Sequence, residues 1–437
     1  MHISSLKKEA MLWLALLGPL FFGAYGFTNW YSASLPEVNQ FYFGWEQNIP
    51  VVPWMIVPYM SIDLFFAGAL FLCVTRQELH GHVKRVAFAI SVSAACFLLY
   101  PMQFSFPRPE VDGFYGVLFD VLYGFDQPFN QAPSLHISLL MFLWVVYASH
   151  TKGLLNGFIH VWFALIGLSV LFTHQHHFVD IPTAMLVGAF GFYLFPNRQD
   201  YGGFPSGFHR KLVLVYGAMA ILLLIMAFLA MPYSLLFLWP ALALTLVAMA
   251  YSGAGTRVFR KWQGGHSISS RVLLAPYRLA AYCSYRMYTR ADTPTRKVAE
   301  NLLMGRMLSN KEAQQLCEDG VVAVVDMAPE FATAKPFRRL ACHHARVLDL
   351  TPPNIEQLQD AVDFIEVHRA QGVVYVHCAL GYSRSAAVVV AWLLKSGAAQ
   401  TVDEAVEQLR NIHPKLVLNA ASLAVLQSYS QGAKDFS

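Results

Sequence analysis

His377-Cys378-Ala379-Leu380-Gly381-Tyr382-Ser383-Arg384-Ser385 sets a cysteine and an arginine at the two ends of a seven-residue loop, C-x5-R. A short apolar β-like run, Val373–Val376, leads into the loop, and a small-residue helical run, Ser385–Leu394, leads away from it. A strand–loop–helix of this kind turns several backbone N–H groups toward one point at the positive end of the new helix. That makes an anion cradle, with the loop positions Gly381 and Ser383 contributing to phosphate binding. A helix N-terminus and neighbouring cations favour the nucleophilic thiolate form of Cys378. Arg384 adds a planar fork that matches two phosphate oxygens. The alternative is a buried structural cysteine beside a chance arginine. It leaves unexplained why His, Cys, Gly, Arg and Ser all stand where phosphate chemistry needs them.

These residues resemble the HCxxGxxRS signature of the cysteine-dependent phosphatases of the dual-specificity class. The similarity extends across roughly residues 296–430 and includes Asn301-Leu-Leu-Met-Gly-Arg306. The resemblance implies a two-step hydrolysis. Cys378 attacks phosphorus to give a cysteinyl-phosphate, Arg384 clamps the equatorial oxygens, and water then releases phosphate. Ser385 is implied as the hydroxyl that helps the thiolate leave. An acid for the leaving-group oxygen is implied some thirty residues upstream, and Asp349 in Arg346-Val-Leu-Asp-Leu-Thr-Pro-Pro353 lies at that distance. On residue type alone Asp349 also reads as an ordinary turn residue. The nearest flavour is the mitochondrial phosphatidylglycerophosphate phosphatase type, although the loop interior lacks the extra Lys or Arg of lipid-preferring relatives.

The rest of the chain is a different object. Charged residues make up 13% of the sequence, against roughly 25% in soluble proteins. Residues 1–290 carry 17 Lys+Arg and 11 Asp+Glu, whereas 291–437 carry 14 and 16. The expected organisation is a polytopic membrane domain over 1–251, a basic membrane-surface linker over 252–290 and a soluble phosphatase domain over 291–437. In fold class this is a mostly α-helical polytopic membrane bundle followed by a soluble α/β domain. Spans need about 20 apolar residues, and eight segments approach that, near 10–27, 52–74, 86–101, 135–149, 154–173, 179–196, 211–230 and 233–251. The fourth is short and only Met231-Pro-Tyr233 separates the last two, so the count is seven or eight.

Lys7, Lys8, Arg76, Lys84, Arg85, Lys152, Arg198, Arg210 and Lys211 all fall in alternate connections. The opposite connections hold a single basic residue, Arg108. This bias places the N-terminus inside, and eight spans return the chain to the cytoplasm, where a reactive thiolate stays reduced. The expected location is therefore the cell membrane, the inner membrane in a bacterium, with both termini cytoplasmic. The first segment reads as a retained anchor because seven further spans follow it.

The outer connections hold Arg108-Pro109, Pro133-Ser-Leu-His136 and His174-Gln-His-His-Phe-Val-Asp180. His176 and Asp180 are four residues apart, hence on one helical face. Ionisable groups at membrane ends are functional candidates, although each taken singly reads as a solvated interfacial residue. Together they resemble the type 2 phosphatidic acid phosphatase superfamily, especially its inositol-phosphorylceramide synthase-like branch. The resemblance implies that His176 is a nucleophile forming a phosphohistidine, that Asp180 orients it, and that His136 protonates the leaving oxygen. It also implies that Arg108 and Ser134 bind phosphate. Against the pattern KxxxxxxRP, PSGH and SRxxxxxHxxxD, this chain has Pro101, Leu135 and Val170 at the lysine, glycine and arginine positions. As a metal set, His174, His176 and His177 lack a completing thiolate or carboxylate. Neither a metal nor a cofactor is expected.

Residues 252–290 contain Arg257, Arg260, Lys261, Arg271, Arg278, Arg286 and Arg290 and no acidic residue, which suits a segment on an anionic leaflet. The six cysteines show no paired spacing, so structural disulfides are not expected. In the soluble domain, strand-like runs at Val321–Asp326, Ala345–Leu350 and Val373–His377 alternate with helical patterns near 309–319, 354–371, 384–397, 401–411 and 419–430. The expected protein is a bifunctional membrane phosphatase: a cytoplasmic cysteine site and an outward-facing histidine site that is a lipid-phosphate hydrolase or a head-group phosphotransferase. Its partners are membrane lipids and phosphorylated lipids, head groups or phosphoproteins, not nucleic acid. In the alternative, one half, the membrane bundle foremost, is a non-catalytic phosphate-binding, lipid-binding or anchoring module. A transporter is a third reading, set against Asp63 as the one charge deep in a span.

Overall fold

The structure, a computed structural model, describes residues 2–197, 203–230, 233, 235–290 and 292–435. Arg198 and the Met231-Pro232 turn, which enter the topology and the span count above, lie outside the described residues. The chain divides into two compact units, Met1–Gln199 and Asp200–Ser437.

The first unit is helical: α1 (His2–Ala33), α2 (Ile56–Leu72), α3 (Arg76–Leu99), α4 (Gly113–Phe125), α5 (Leu135–His150), α6 (Gly153–Phe172) and α7 (Asp180–Leu194). Helix α5 is the hub, packing on α2, α3, α6 and α7. Its apolar side chains point several ways, and Leu139, Leu140, Phe142, Leu143 and Val146 are all buried. A helix apolar all round is one that others surround. Thr75 starts α3 by accepting the Glu78 N–H, and Ser134 starts α5 by accepting the Ile137 N–H.

Among the described residues six helices are long and apolar enough to cross a membrane: Ser5–Ala33, Pro53–Leu72, Arg76–Leu99, Gly153–Phe172, Arg210–Leu229 and Leu236–Phe259. The expected fourth and sixth spans are α5 and α7, with 16 and 15 residues. At 1.5 Å per residue neither reaches the ~30 Å of a hydrocarbon core. Both are short because each begins at a candidate site segment. Helix α4 lies in the connection 101–134, which the sequence reading left without an element.

The second unit opens with the apolar pair α8 (Arg210–Leu229) and α9 (Leu235–Met249). In packing, this pair groups with the phosphatase region in the second compact unit. A small hairpin, β1 (Lys261–Trp262) and β2 (Gly265–His266), precedes α10 (Ile268–Leu273) and α11 (Ala275–Thr289). A five-stranded sheet follows, built from β3 (Thr295–Ala299), β4 (Leu302–Gly305), β5 (Val321–Asp326), β6 (Ala341–His343) and β7 (Val373–His377). Its order is β3-β4-β7-β5-β6, parallel except for the β3–β4 pair. The helices are α12 (Asn310–Glu318), α13 (Ile355–Arg369), α14 (Arg384–Lys395), α15 (Val402–Ile412) and α16 (Ala420–Asp435).

Side-chain alternation along the central strand fixes the layers. Val374 and Val376 join a core with α13 to α16, while Tyr375 turns to the opposite face with Phe337 and Ala313. Central β7 therefore ends at Cys378 with a buried strand on each side. The expected strand Ala345–Leu350 is not formed. The edge strand is Ala341–His343, and 345–350 runs as irregular chain toward the site. The Val347 carbonyl there accepts from Arg384 at 3.0 Å, so its backbone polarity serves the site and not the sheet.

Lys261 of the basic connection, expected on a membrane surface, folds instead onto the phosphatase region. Lys261 is fully buried, 2.7 Å from Asp326 Oδ2, and donates to the Ala328 carbonyl at 2.7 Å. His266 donates to the Pro329 carbonyl at 2.8 Å. Arg346 donates to the Lys261 carbonyl at 3.1 Å. Burial works to raise the Asp326 pKa, but Lys261, His377 and His344 outweigh it and hold the carboxyl below its ordinary range. Removing one partner of a buried pair leaves the other charge uncompensated, which costs about 3–5 kcal/mol. Lys261→Met is therefore expected to lower the melting temperature of the full-length protein markedly, and adding Asp326→Leu should restore most of it. An unchanged melting temperature in the single variant would show that the pair contributes nothing.

Candidate active sites

The cysteine site forms where β7 runs out and α14 begins. The Gly381 N–H lies 3.2 Å from Cys378 Sγ, and the Ser385 hydroxyl lies 3.4 Å from it. Two donors aimed at one buried sulfur stabilise negative charge there. Gly381 has φ +81°, and a Cβ on it would stand 2.7 Å from the Gly305 carbonyl group. Only glycine fits both the turn and that approach. Ser383 stands at the N-cap of α14 without a side-chain cap bond. His377 is buried neutral, its pKa pushed below the ordinary value by burial against the pull of Asp326. Its Nδ1 lies 3.1 Å from the Cys378 carbonyl oxygen, so that nitrogen carries the proton.

Arg384 is buried and held on two sides. Glu330, which the sequence reading missed, takes both ends of the fork, at 2.7 Å and 3.0 Å. Bidentate pairing of this kind fixes the guanidinium plane. Asp349 Oδ1 lies 3.1 Å from Nη2 of the same arginine, with its side chain half-exposed. The proposed nucleophile, phosphate clamp, leaving-group hydroxyl and acid are thus gathered at one mouth. One further contact was not foreseen: the buried Tyr251 hydroxyl donates to the Asp349 carbonyl at 3.0 Å. Tyr251 follows α9 directly and stacks on Tyr216 of α8 at 5.4 Å. The acid loop is therefore tied to the end of an apolar helix pair.

The candidate site of the first unit surrounds a cavity of about 450 Å³ lined by His136, His176, Tyr59, Asp63, Asp126 and Asn130 among others. His176 Nδ1 lies 3.1 Å from Asp180 Oδ2, and the same oxygen accepts the His177 N–H at 3.0 Å. Asp180 opens α7 and is fully buried. His136 stacks on Tyr59 at 4.3 Å, and its Nε2 is buried without a hydrogen-bond partner among the described residues. The two histidines share the cavity wall.

The residues expected to bind phosphate there adjoin cavity-lining residues but make other bonds. Ser134 is buried and its hydroxyl is occupied as the cap of α5. Arg108 donates to the Asp126 carbonyl at 2.5 Å and lies 4.3 Å over the Tyr123 ring. Among the described residues no Lys or Arg lines the cavity. Glu46, also missed, accepts from His177 Nδ1 at 3.0 Å and from the Phe178 N–H at 2.9 Å. It braces the histidine turn from a distant loop. Burial works against the Glu46 carboxylate, yet His177 and two backbone N–H groups hold its pKa below the ordinary value.

The dual specificity phosphatase catalytic domain matches residues 308–432 of the chain. Phosphatidylglycerophosphate phosphatase PTPMT2 of Arabidopsis thaliana is 29% identical over 142 residues, 31% of this chain and 62% of that protein. Dual specificity protein phosphatase 1 of Arabidopsis thaliana is 30% identical over 140 residues, 32% of this chain and 70% of that protein. Phosphatidylglycerophosphatase and protein-tyrosine phosphatase 1 of Homo sapiens is 28% identical over 144 residues, 30% of this chain and 71% of that protein. Through this region the chain belongs to the dual specificity phosphatases, a class of phosphoric monoester hydrolases. The chain spans 62% of the length of PTPMT2 and 41% of the length of phosphatidylglycerophosphate phosphatase PTPMT1 of the same plant.

Proposed function

We propose that residues 291–437 hydrolyse a phosphate monoester carried by a membrane lipid, through a cysteinyl-phosphate on Cys378. Arg384 and the loop N–H groups, including those at Gly381 and Ser383, bind the phosphoryl oxygens. Asp349 protonates the leaving oxygen, and Ser385 supports the departing thiolate in the second step. The observation that carries the lipid reading is the Tyr251–Asp349 bond, which ties the acid loop to the end of the α8–α9 pair. Helix α8 and the longer segment Leu236–Phe259, which contains most of α9 and Tyr251, are each long and apolar enough to span a bilayer, which supports a site that meets head groups and not bulk solutes. Phosphatidylglycerophosphate phosphatases among the relatives agree with this class of substrate. The Lys and Arg bias supports a cell-membrane location with both termini cytoplasmic.

For the first unit the reading is a histidine phosphatase or phosphotransferase of the type 2 phosphatidic acid phosphatase kind, supported by the His176–Asp180 dyad and by His136 on the same cavity. A specific observation favours a second reading, a lipid-binding or anchoring module: the cavity wall has carboxylates and no cation among the described residues. One experiment addresses both halves. Full-length protein in phosphatidylcholine vesicles is offered a long-chain lipid phosphomonoester and, separately, its deacylated head group. The lipid should be the better substrate by at least about tenfold in kcat/KM, a difference of 1.4 kcal/mol. Equal efficiency on both would sink the lipid assignment. Turnover that survives Cys378→Ser should vanish on adding His176→Ala, and its persistence would remove the histidine mechanism. No surviving turnover at all would favour the binding module.

A further inference from the structure

The second unit contains another opening, a cleft of about 720 Å³ with α11 on one side and the chain around 306–312 and 332–338 on the other. Six cations line it: Arg286, Arg290, Arg306, Lys311, Lys335 and Arg338. Only two carboxylates do so, and both are already engaged. Glu312 pairs with Arg306 at 2.7 Å, and Asp292 pairs with Arg296 at 2.7 Å. Arg338 donates from Nε to the Thr333 carbonyl. The remaining four, Arg286, Arg290, Lys311 and Lys335, are exposed and make no ion pair among the described residues. Unpaired like charges around one concavity repel each other and focus a positive potential into it.

Four positive charges match two phosphate monoesters, each carrying about −1.5 to −2 at neutral pH. The guanidinium forks add the planar geometry that phosphate oxygens favour. Cys378, Arg384 and Asp349 do not line the cleft. It nevertheless borders the catalytic loop, because the Met307 N–H donates to the Ala379 carbonyl at 2.9 Å. The α11 wall carries Leu279, Met287 and Tyr288 exposed to solvent. Helix α11 also packs on α9, and its Tyr277 ring meets Tyr216 of α8 at 6.2 Å. A cationic cleft beside an apolar helix pair, walled by a helix that exposes apolar side chains elsewhere on its surface, suits an anion attached to a membrane.

We propose that this cleft is a second anion site, separate from Cys378, that holds a head group bearing two or more phosphates. It stands whether or not the catalytic substrate is a lipid. The test uses full-length protein in detergent micelles with the Cys378 pocket filled by orthovanadate. Inositol 1,4,5-trisphosphate and dioctanoyl phosphatidylinositol 4,5-bisphosphate are titrated separately by calorimetry. Arg286→Glu/Arg290→Glu and, as a second variant, Lys311→Glu/Lys335→Glu should each raise the dissociation constant at least about tenfold. Aryl-phosphate turnover without vanadate should stay within about twofold of wild type, which controls for folding. Tighter binding of the lipid than of the free head group assigns the source to the membrane, and equal binding assigns it to a soluble polyanion. Titrations that neither double variant alters, or no binding of either ligand to wild type, would overturn the site.

Discussion

Replacing Cys378 by serine in the full-length protein is expected to abolish hydrolysis of an aryl phosphate at the cysteine site, a loss of about 10⁴-fold or more. The loss follows from chemistry that the cradle cannot supply by itself. The Gly381 N–H and the Ser385 hydroxyl are aimed at the sulfur, and both stabilise a thiolate. A serine hydroxyl there stays protonated and attacks phosphorus poorly. Phosphate binding should survive, because Arg384 and the loop backbone are untouched. The expected signature is thus a lost kcat with orthophosphate inhibition constants unchanged in control titrations. Serine-variant turnover near that of wild type would mean that another group is the nucleophile.

Arg384→Lys is expected to lower kcat/KM by about 10²–10³-fold, the scale of losing a preorganised donor to the transition state. Lysine keeps the charge but not the fork. It reaches neither both Glu330 oxygens nor two phosphoryl oxygens, and it leaves the buried Glu330 partly unpaired. A second effect is therefore expected, a lower melting temperature, because a half-paired buried carboxylate is costly. Glu330→Gln separates the two effects. It keeps a hydrogen bond to Arg384, so activity should fall less than in Arg384→Lys. Arg384→Lys activity within a few-fold of wild type would show that the fork is not the phosphate clamp.

Juxtaposition is legible in the sequence where it is local. Cys378, Gly381, Arg384 and Ser385 fall within one loop, so their spacing alone states their geometry, and β7 and α14 lie close to where the flanking patterns put them. His176 and Asp180 are legible for the same reason, being one helical turn apart. Partners distant in the chain were not legible. Glu330 meets Arg384 across 54 residues, and Glu46 meets His177 across 131. A single carboxylate after a strand or in an aromatic loop carries no local sign of such a partner. Lys261 misled for the opposite reason. A run of cations without acids resembles a solvated or membrane-facing segment, yet its neutralising carboxylate, Asp326, stands 65 residues downstream. The expected strand at 345–350 failed because apolar residues there fill the core without joining the sheet: Ala345, Val347 and Leu348 are buried while the backbone leads to Asp349.

During hydrolysis of a lipid phosphomonoester, we propose, Cys378 carries the phosphoryl group. Ser385→Ala should slow the second step, since its hydroxyl is the donor 3.4 Å from the sulfur that must leave as an anion. Full-length Ser385→Ala in vesicles is mixed with a lipid monoester labelled with ³²P in the phosphate and quenched within one turnover. Mass spectrometry of the digested protein then locates the label. Phosphate is expected on the peptide containing Cys378, at higher occupancy than in wild type and absent from Cys378→Ser. Lipid turnover by the Ser385→Ala protein with no label on Cys378 would contradict it.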